Sequence, residues 1–185
     1  MRKVIAGVMM SLDGVMQAPG GPEEDPTRGF RFGGWVQPHF DEVGGEVMMK
    51  TFDAPFDLLL GRKTYEIFAA HWPYQGPDDP IGKRFNEVTK YVATSSKAPL
   101  SWVNSVALHD AVRDVARLKQ EEGPPLLTQG SSVLLQSLMK ADLIDQFNLI
   151  IFPVILGQGK RLFGEGTIPA GLKLTGSVGT PSGVT

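Results

Sequence analysis

Four short apolar runs constrain the fold more than any other feature of this chain: Val4–Met10, Leu58–Leu60, Leu126–Leu127 and Phe147–Leu156. They are continuously apolar rather than alternating, which is the pattern of strands buried on both faces of a largely parallel sheet. Each of the first three ends in a turn or glycine: Ser11, Asp13 and Gly14 after the first, Gly61 after the second, Gly130 after the third. Helical spacing resumes after Gly61 and Gly130, over Thr64–Ala70 and Ser131–Ala141, the latter with Leu134, Leu135 and Leu138 on one side. A further strand is expected at Lys90–Thr94, an amphipathic helix at His109–Glu121 with Ala111, Val112, Val115 and Leu118 on its apolar side, and a weaker helix at His39–Phe52. Strands alternating with helices predict an α/β domain with helices on both faces of the sheet.

Two stretches read as loops. Ala18–Gly34, APGGPEEDPTRGFRFGG, is too rich in glycine, proline and acids for regular structure, and loops of that length tend to cover binding sites. Trp72–Pro80, with Pro73, Pro77 and Pro80, reads as an irregular connection. Lys173–Thr180 reads as a weak last strand, and the ending PSGVT suggests a further strand beyond it. With no internal repeat or boundary, residues 1–185 are expected to form one domain, long enough to bury roughly 70% of its unfolded surface.

Composition narrows the functional classes. The chain has no cysteine, which excludes disulfides and thiolate chemistry, and His39, His71 and His109 stand too far apart to suggest a metal site. Basic and acidic residues (18 and 20) are interspersed, giving a formal charge of −2, which speaks against a nucleic-acid surface or a polybasic membrane anchor. The longest apolar stretch holds Asn148 and Pro153 and is too short to span a bilayer, and the N-terminus lacks a cleavage pattern. A cytoplasmic protein acting on small molecules is the expectation.

Ligands of parallel α/β sheets gather where strand ends meet helix starts. After Leu58–Leu60 stand Gly61, Arg62, Lys63 and Thr64: a glycine allowing close backbone approach, two cations, and a hydroxyl able to cap the helix. Cations at a helix N-terminus oppose its dipole, so the segment is either a solvated basic helix start or a phosphate site. Thr94, Ser95 and Ser96 follow another strand, a pattern shared by simple turns. Gln129, Gly130, Ser131 and Ser132 form a second glycine-to-helix start, and two such starts suit a pyrophosphate. GQGKRLFG (Gly157–Gly164) does not meet the G-x-G-x-x-G dinucleotide pattern, since Leu162 stands in place of its third glycine. Asp13, in SLDG, is either an ordinary Asp-Gly turn or a carboxylate at the end of the first strand available to a substrate.

Taken in order, SLDG, LLLGRKTYE, YVATSS, QGSSVLLQSLMKADLID and PVILGQGKRLF resemble the dihydrofolate reductase-like family that includes the C-terminal reductase domain of the bifunctional riboflavin-biosynthesis protein. The resemblance covers most of the chain. It implies a three-layer αβα fold around a mostly parallel sheet, NADPH bound at the strand ends, and hydride transfer to a small polar compound such as 5-amino-6-(5-phosphoribosylamino)uracil. Gly61, Arg62, Lys63 and Thr64 then match the segment taking the adenosine-side phosphates, with Arg62 on the 2'-phosphate. Thr94, Ser95 and Ser96 match that around the adenosine ribose, and Gly130, Ser131, Ser132 and Val133 the pyrophosphate and nicotinamide side. Asp13 matches the aspartate that faces substrate and nicotinamide, giving it the catalytic role, and relatives of this kind are commonly homodimers. Two other readings stand beside the enzyme: an NADP(H)-binding sensor or store without turnover, and a purely structural dimer unit.

Overall fold

The computed structural model describes residues 1–76 and 78–185, and Pro77 of the expected proline-rich connection lies outside them. Six strands form one sheet: β1 (Val4–Ser11), β2 (Asp57–Gly61), β3 (Lys90–Ala93), β4 (Ser105–Leu108), β5 (Leu126–Gln129) and β6 (Gln146–Phe152), in the order β4-β3-β2-β5-β1-β6. Every neighbouring pair is parallel, as the continuous apolar runs predict. Among the described residues five α-helices flank the sheet: α1 (Glu42–Lys50), α2 (Arg62–Ala69), α3 (Pro80–Glu87), α4 (Ala111–Gln120) and α5 (Ser132–Lys140).

The alternation of side chains along β2 builds two cores from three leucines. Leu58 and Leu60 pack with Tyr65 of α2 and Phe85 of α3, while Leu59 points the other way onto Val115 and Leu118 of α4 and Leu134 and Leu138 of α5. All three leucines are wholly buried, and the result is a three-layer αβα architecture. Within the same core, the Tyr65 hydroxyl accepts the Trp102 backbone amide at 2.7 Å. Val112, expected on the apolar side of α4, is largely exposed.

Several boundaries differ from the sequence expectation for local reasons. The strand expected over Phe147–Leu156 ends at Phe152, because Pro153 has no amide to continue the ladder. Helix α3 starts at Pro80, the last residue of the expected irregular connection, and runs through residues to which the sequence assigns no element. Asp79 accepts the Gly82 amide at 2.7 Å and Pro80 takes the first turn, an N-terminal arrangement that needs no donor from proline. Strand β4 is short and lies at the sheet edge with Val106 and Ala107 exposed, so it lacks the apolar signature of the others. Lys173–Thr180 forms no strand, and Leu174 and Val178 are exposed there. No helix of the described residues is long and apolar enough to cross a membrane.

Gly7, in the middle of β1, is required by space. A Cβ there would lie 2.8 Å from the Thr128 carbonyl oxygen and 2.7 Å from Gln129 Nε2, so β1 and β5 must part to admit it. Gly7→Ala is expected to cost about 1–3 kcal/mol of overpacking. A thermal melt should show this as roughly 2–4 °C for each kcal/mol.

Candidate active-site cleft

The carboxyl ends of the strands open into a cleft of about 1060 Å³. The chain passes from β1 to β2, proceeds outward to β3 and β4, and then returns to insert β5 between β1 and β2. The cleft lies at that reversal, where open α/β sheets bind ligands. Its walls include Gly61, Arg62, Lys63 and Thr64 after β2, Thr94 and Ser95 after β3, and Gly130, Ser131, Ser132 and Val133 after β5. Three separated sequence segments thus meet on one surface. Ser96 and Asp13 are not on that wall.

The starts of α2 and α5 are joined. Ser131 Oγ accepts the Gly61 amide at 3.0 Å, and a Cβ on Gly130 would lie 3.8 Å from the Thr64 side chain. Gly130 and Ser131 both adopt left-handed backbone, with φ of 63° and 65°. Two successive left-handed residues turn the chain from β5 into α5, an arrangement easy for glycine and uncommon for serine. The Ser131 hydroxyl contact is the local interaction that accompanies it. Helix-start amides have no partner within their own helix, so two adjacent starts present a concentration of free donors.

One expectation about this segment, the Thr64 cap, needs correction. Gly61 has φ −73° and ψ 154°, a conformation open to any residue, and an added Cβ would meet Ser131 at an ordinary 3.6 Å. Thr64 does not cap α2, because the helix begins two residues earlier, at Arg62, with Gly61 as its N-cap and no side-chain cap. The Thr64 side chain instead reaches the cleft beside Gly130.

Arg62 is held in place rather than solvated. Its Nε donates to Glu66 Oε1 at 2.7 Å and its Nη1 to the Ala98 carbonyl at 3.3 Å, leaving the rest of the guanidinium fork unengaged. Lys63 is exposed and makes no ion pair among the described residues. Thr94 is buried, and its Oγ1 accepts the Ser96 amide at 3.0 Å, so Ser96 shapes the turn behind the wall. His109 joins this end of the cleft, with Nδ1 donating to the Thr94 carbonyl at 3.1 Å.

Asp13 clamps two loops. Its carboxylate accepts the Ser11 hydroxyl at 2.6 Å and the Leu156 and Gly157 amides at 3.1 and 2.9 Å, with Arg161 Nη2 at 3.3 Å. Arg161 also donates to the Asp13 carbonyl. Partial burial alone would raise the carboxyl, but the Ser11, Leu156 and Gly157 bonds and the Arg161 charge outweigh it and hold the group at about 2. Such a carboxylate stays ionised near neutral pH, the form suited to anchoring a neighbouring group rather than to giving up a proton. The turn reading of SLDG also holds, with Gly14 at φ 83°.

The first part of the Ala18–Gly34 stretch, Ala18–Asp25, lines the cleft as well and is organised by a residue the sequence does not single out. Gln17 is buried, and its Nε2 donates to the Asp25 and Thr27 carbonyls at 2.9 and 3.0 Å while its Oε1 accepts the Lys160 amide at 3.0 Å. Lys160 Nζ then reaches Asp25 at 2.6 Å. Burial would raise Asp25, but its bonds to Lys160 and Thr27 carry it below the usual carboxylate range. Glu24 goes the other way: burial raises it despite the amides of Gly20 and Gly21 that it accepts. These contacts span up to 143 residues of sequence, and no local motif announces them. Met48, Phe52, Phe68 and Trp72, the apolar part of the cleft, were equally silent because their spacing reads as ordinary core.

The chain is similar to known proteins in sequence and in fold. The Bacillus subtilis protein YwjB is 29% identical over 180 residues, covering 95% of this chain and 91% of that protein. A diaminohydroxyphosphoribosylaminopyrimidine deaminase/5-amino-6-(5-phosphoribosylamino)uracil reductase from Thermotoga maritima superposes with a TM-score of 0.62 at 16% identity, over 99% of this chain and 55% of that one. Dihydrofolate reductase from Enterococcus faecalis, complexed with NADP(H), superposes with a TM-score of 0.53 at 19% identity, over 88% of this chain and 77% of that one. The fold is therefore dihydrofolate reductase-like. The family model of the RibD C-terminal domain matches residues 2–185, and with it the chain belongs to that reductase-type family.

Proposed function

We propose that the protein is an NADPH-dependent reductase that delivers hydride to a small unsaturated acceptor. The observation that carries this reading is the joining of the α2 and α5 starts through Gly61 and Ser131, with Arg62, Lys63 and Thr94 around them, at the carboxyl edge of a parallel sheet. The donor set fits the coenzyme: free helix-start amides for a pyrophosphate and a guanidinium fork for an adenosine-side phosphate. When bound, NADPH supplies the hydride. The chain's own residues bind and orient: Ser131 holds the two helix starts in register, Arg62 fixes the phosphate end, and Gln17 holds the Ala18–Asp25 stretch in place. Asp13, through its grip on Leu156 and Gly157, sets the turn after β1 against the loop after β6.

An NADP(H)-binding module without turnover is the second reading, favoured by one observation: the Asp13 carboxylate lies off the cleft wall and stays ionised. Thermal melting with NADPH and NADH, followed by NADPH oxidation against pyrimidine and pteridine acceptors, separates the two. NADPH at about 100 times its Kd should add about 2.7 kcal/mol, or roughly 5–10 °C in Tm. No shift with either coenzyme rejects both readings, and a shift without oxidation of NADPH by any acceptor leaves the binding module.

A further inference from the structure

Along α2 the cleft lining passes from the cations of its start, Arg62 and Lys63, to the apolar Phe68 near its end, and we call the region around Phe68 the inner half. It lies between the Ala18–Asp25 wall and an aromatic wall, with Met9 of β1 and Met48 of α1 also facing it. The aromatic wall is fixed by packing: Phe68 stacks on Phe85 with centroids 5.7 Å apart, and Trp72 stands edge-on to Phe85 at 5.2 Å.

Charge in this half is one-sided. Arg62 and Lys63 belong to the other half, at the start of α2. Lys160 is bound to Asp25, whose side chain is 9% exposed. His71, exposed at the rim, faces Gln75 through Nδ1. Glu23 and Glu24 stand on the same wall as Asp25. A phosphate placed here would give up its hydration beside carboxylates, with Lys160 already committed to Asp25 and no other lysine or arginine among the described residues of this half. Desolvating an unpaired charge is among the most costly events in a binding site.

Building on the coenzyme reading above, we infer that the acceptor is a neutral, unsaturated ring compound without a phosphate, held between the aromatic wall and the Ala18–Asp25 stretch. The resemblance alone points instead to a phosphoribosyl compound. The reaction balances as hydride from NADPH to one atom of a ring C=N or C=C bond and a proton from water to the other, yielding NADP⁺ and the ring reduced by two electrons.

The test is calorimetric titration of the NADP⁺-saturated protein with 1-naphthol and 1-naphthyl phosphate, which differ by one phosphate. The neutral ring is expected to bind roughly tenfold or more tightly than its phosphate. Met48→Lys, which puts a cation in the inner half, should narrow or reverse that ratio while leaving NADP⁺ binding intact. Equal or tighter binding of the phosphate by the natural protein overturns the inference, as does failure of 1-naphthol to bind at all while NADP⁺ does. Failure of NADP⁺ itself to bind sinks the coenzyme reading instead, and the same titration of the free protein still reads the preference of the inner half.

Discussion

Arg62→Ala is expected to weaken NADPH binding by roughly tenfold to a hundredfold and leave NADH binding nearly unchanged. A charged hydrogen-bonded pair contributes on the order of 1.5–3 kcal/mol, and each 1.4 kcal/mol is about a factor of ten. The structure adds a reason for the full effect to appear. Glu66 and the Ala98 carbonyl already hold the guanidinium, so little side-chain freedom is left to lose when a phosphate arrives. Arg62→Lys should recover only part of the affinity, since a lysine keeps the charge but not the planar fork. Titration of both coenzymes against wild type and variant reads the ratio directly. A variant that keeps the wild-type preference removes Arg62 from phosphate recognition.

Asp13→Asn should lower the melting temperature at neutral pH and flatten the response to acid. The substitution puts an amide where Arg161 and two backbone amides meet a carboxylate, a loss of about 1–3 kcal/mol, or roughly 2–12 °C. The sign of the pH effect follows from the lowered carboxyl. Its folded value of about 2 lies below the ordinary 3.8, so its contribution is complete above pH 4 and is lost as pH falls toward 2. Wild type should therefore lose stability across that window more steeply than the variant. The pH profile of turnover distinguishes positioning from proton donation. An acid in catalysis would bend the profile at its own pKa, whereas this carboxylate leaves it flat above pH 4. A limb near neutrality in wild type that vanishes in Asp13→Asn would return the residue to acid catalysis.

What the sequence made legible was whatever a short segment can encode. β2 and β5 could be read because Leu58–Leu60 and Leu126–Leu127 are continuous and end in glycine, and the two phosphate-type starts could be read because each lies within four residues. Their meeting could be inferred only from fold class, and the Gly61–Ser131 bond that performs it joins positions 70 apart. The start of helix α3 was hidden by the prolines of the preceding connection, although Asp79-Pro80 is also a good helix start. Strand β4 was hidden by its exposure at the sheet edge. The partners of Asp13 were out of reach of any local motif, because Leu156, Gly157 and Arg161 come from the other end of the chain. The apolar inner half was invisible for a similar reason: Met48 and Phe68 look like core until the fold leaves a space in front of them.

The bond between Gly61 and Ser131 also bears on how such a protein could change its task. It locks the proposed coenzyme wall into the sheet and two helices, while the inner half is bounded on one side by the Ala18–Asp25 stretch, which carries none of those contacts. Insertions and substitutions in that loop can alter which acceptor fits without loosening the grip on the coenzyme. The architecture separates what must stay constant from what is free to diversify, so acceptor choice should drift faster than coenzyme choice among chains built this way.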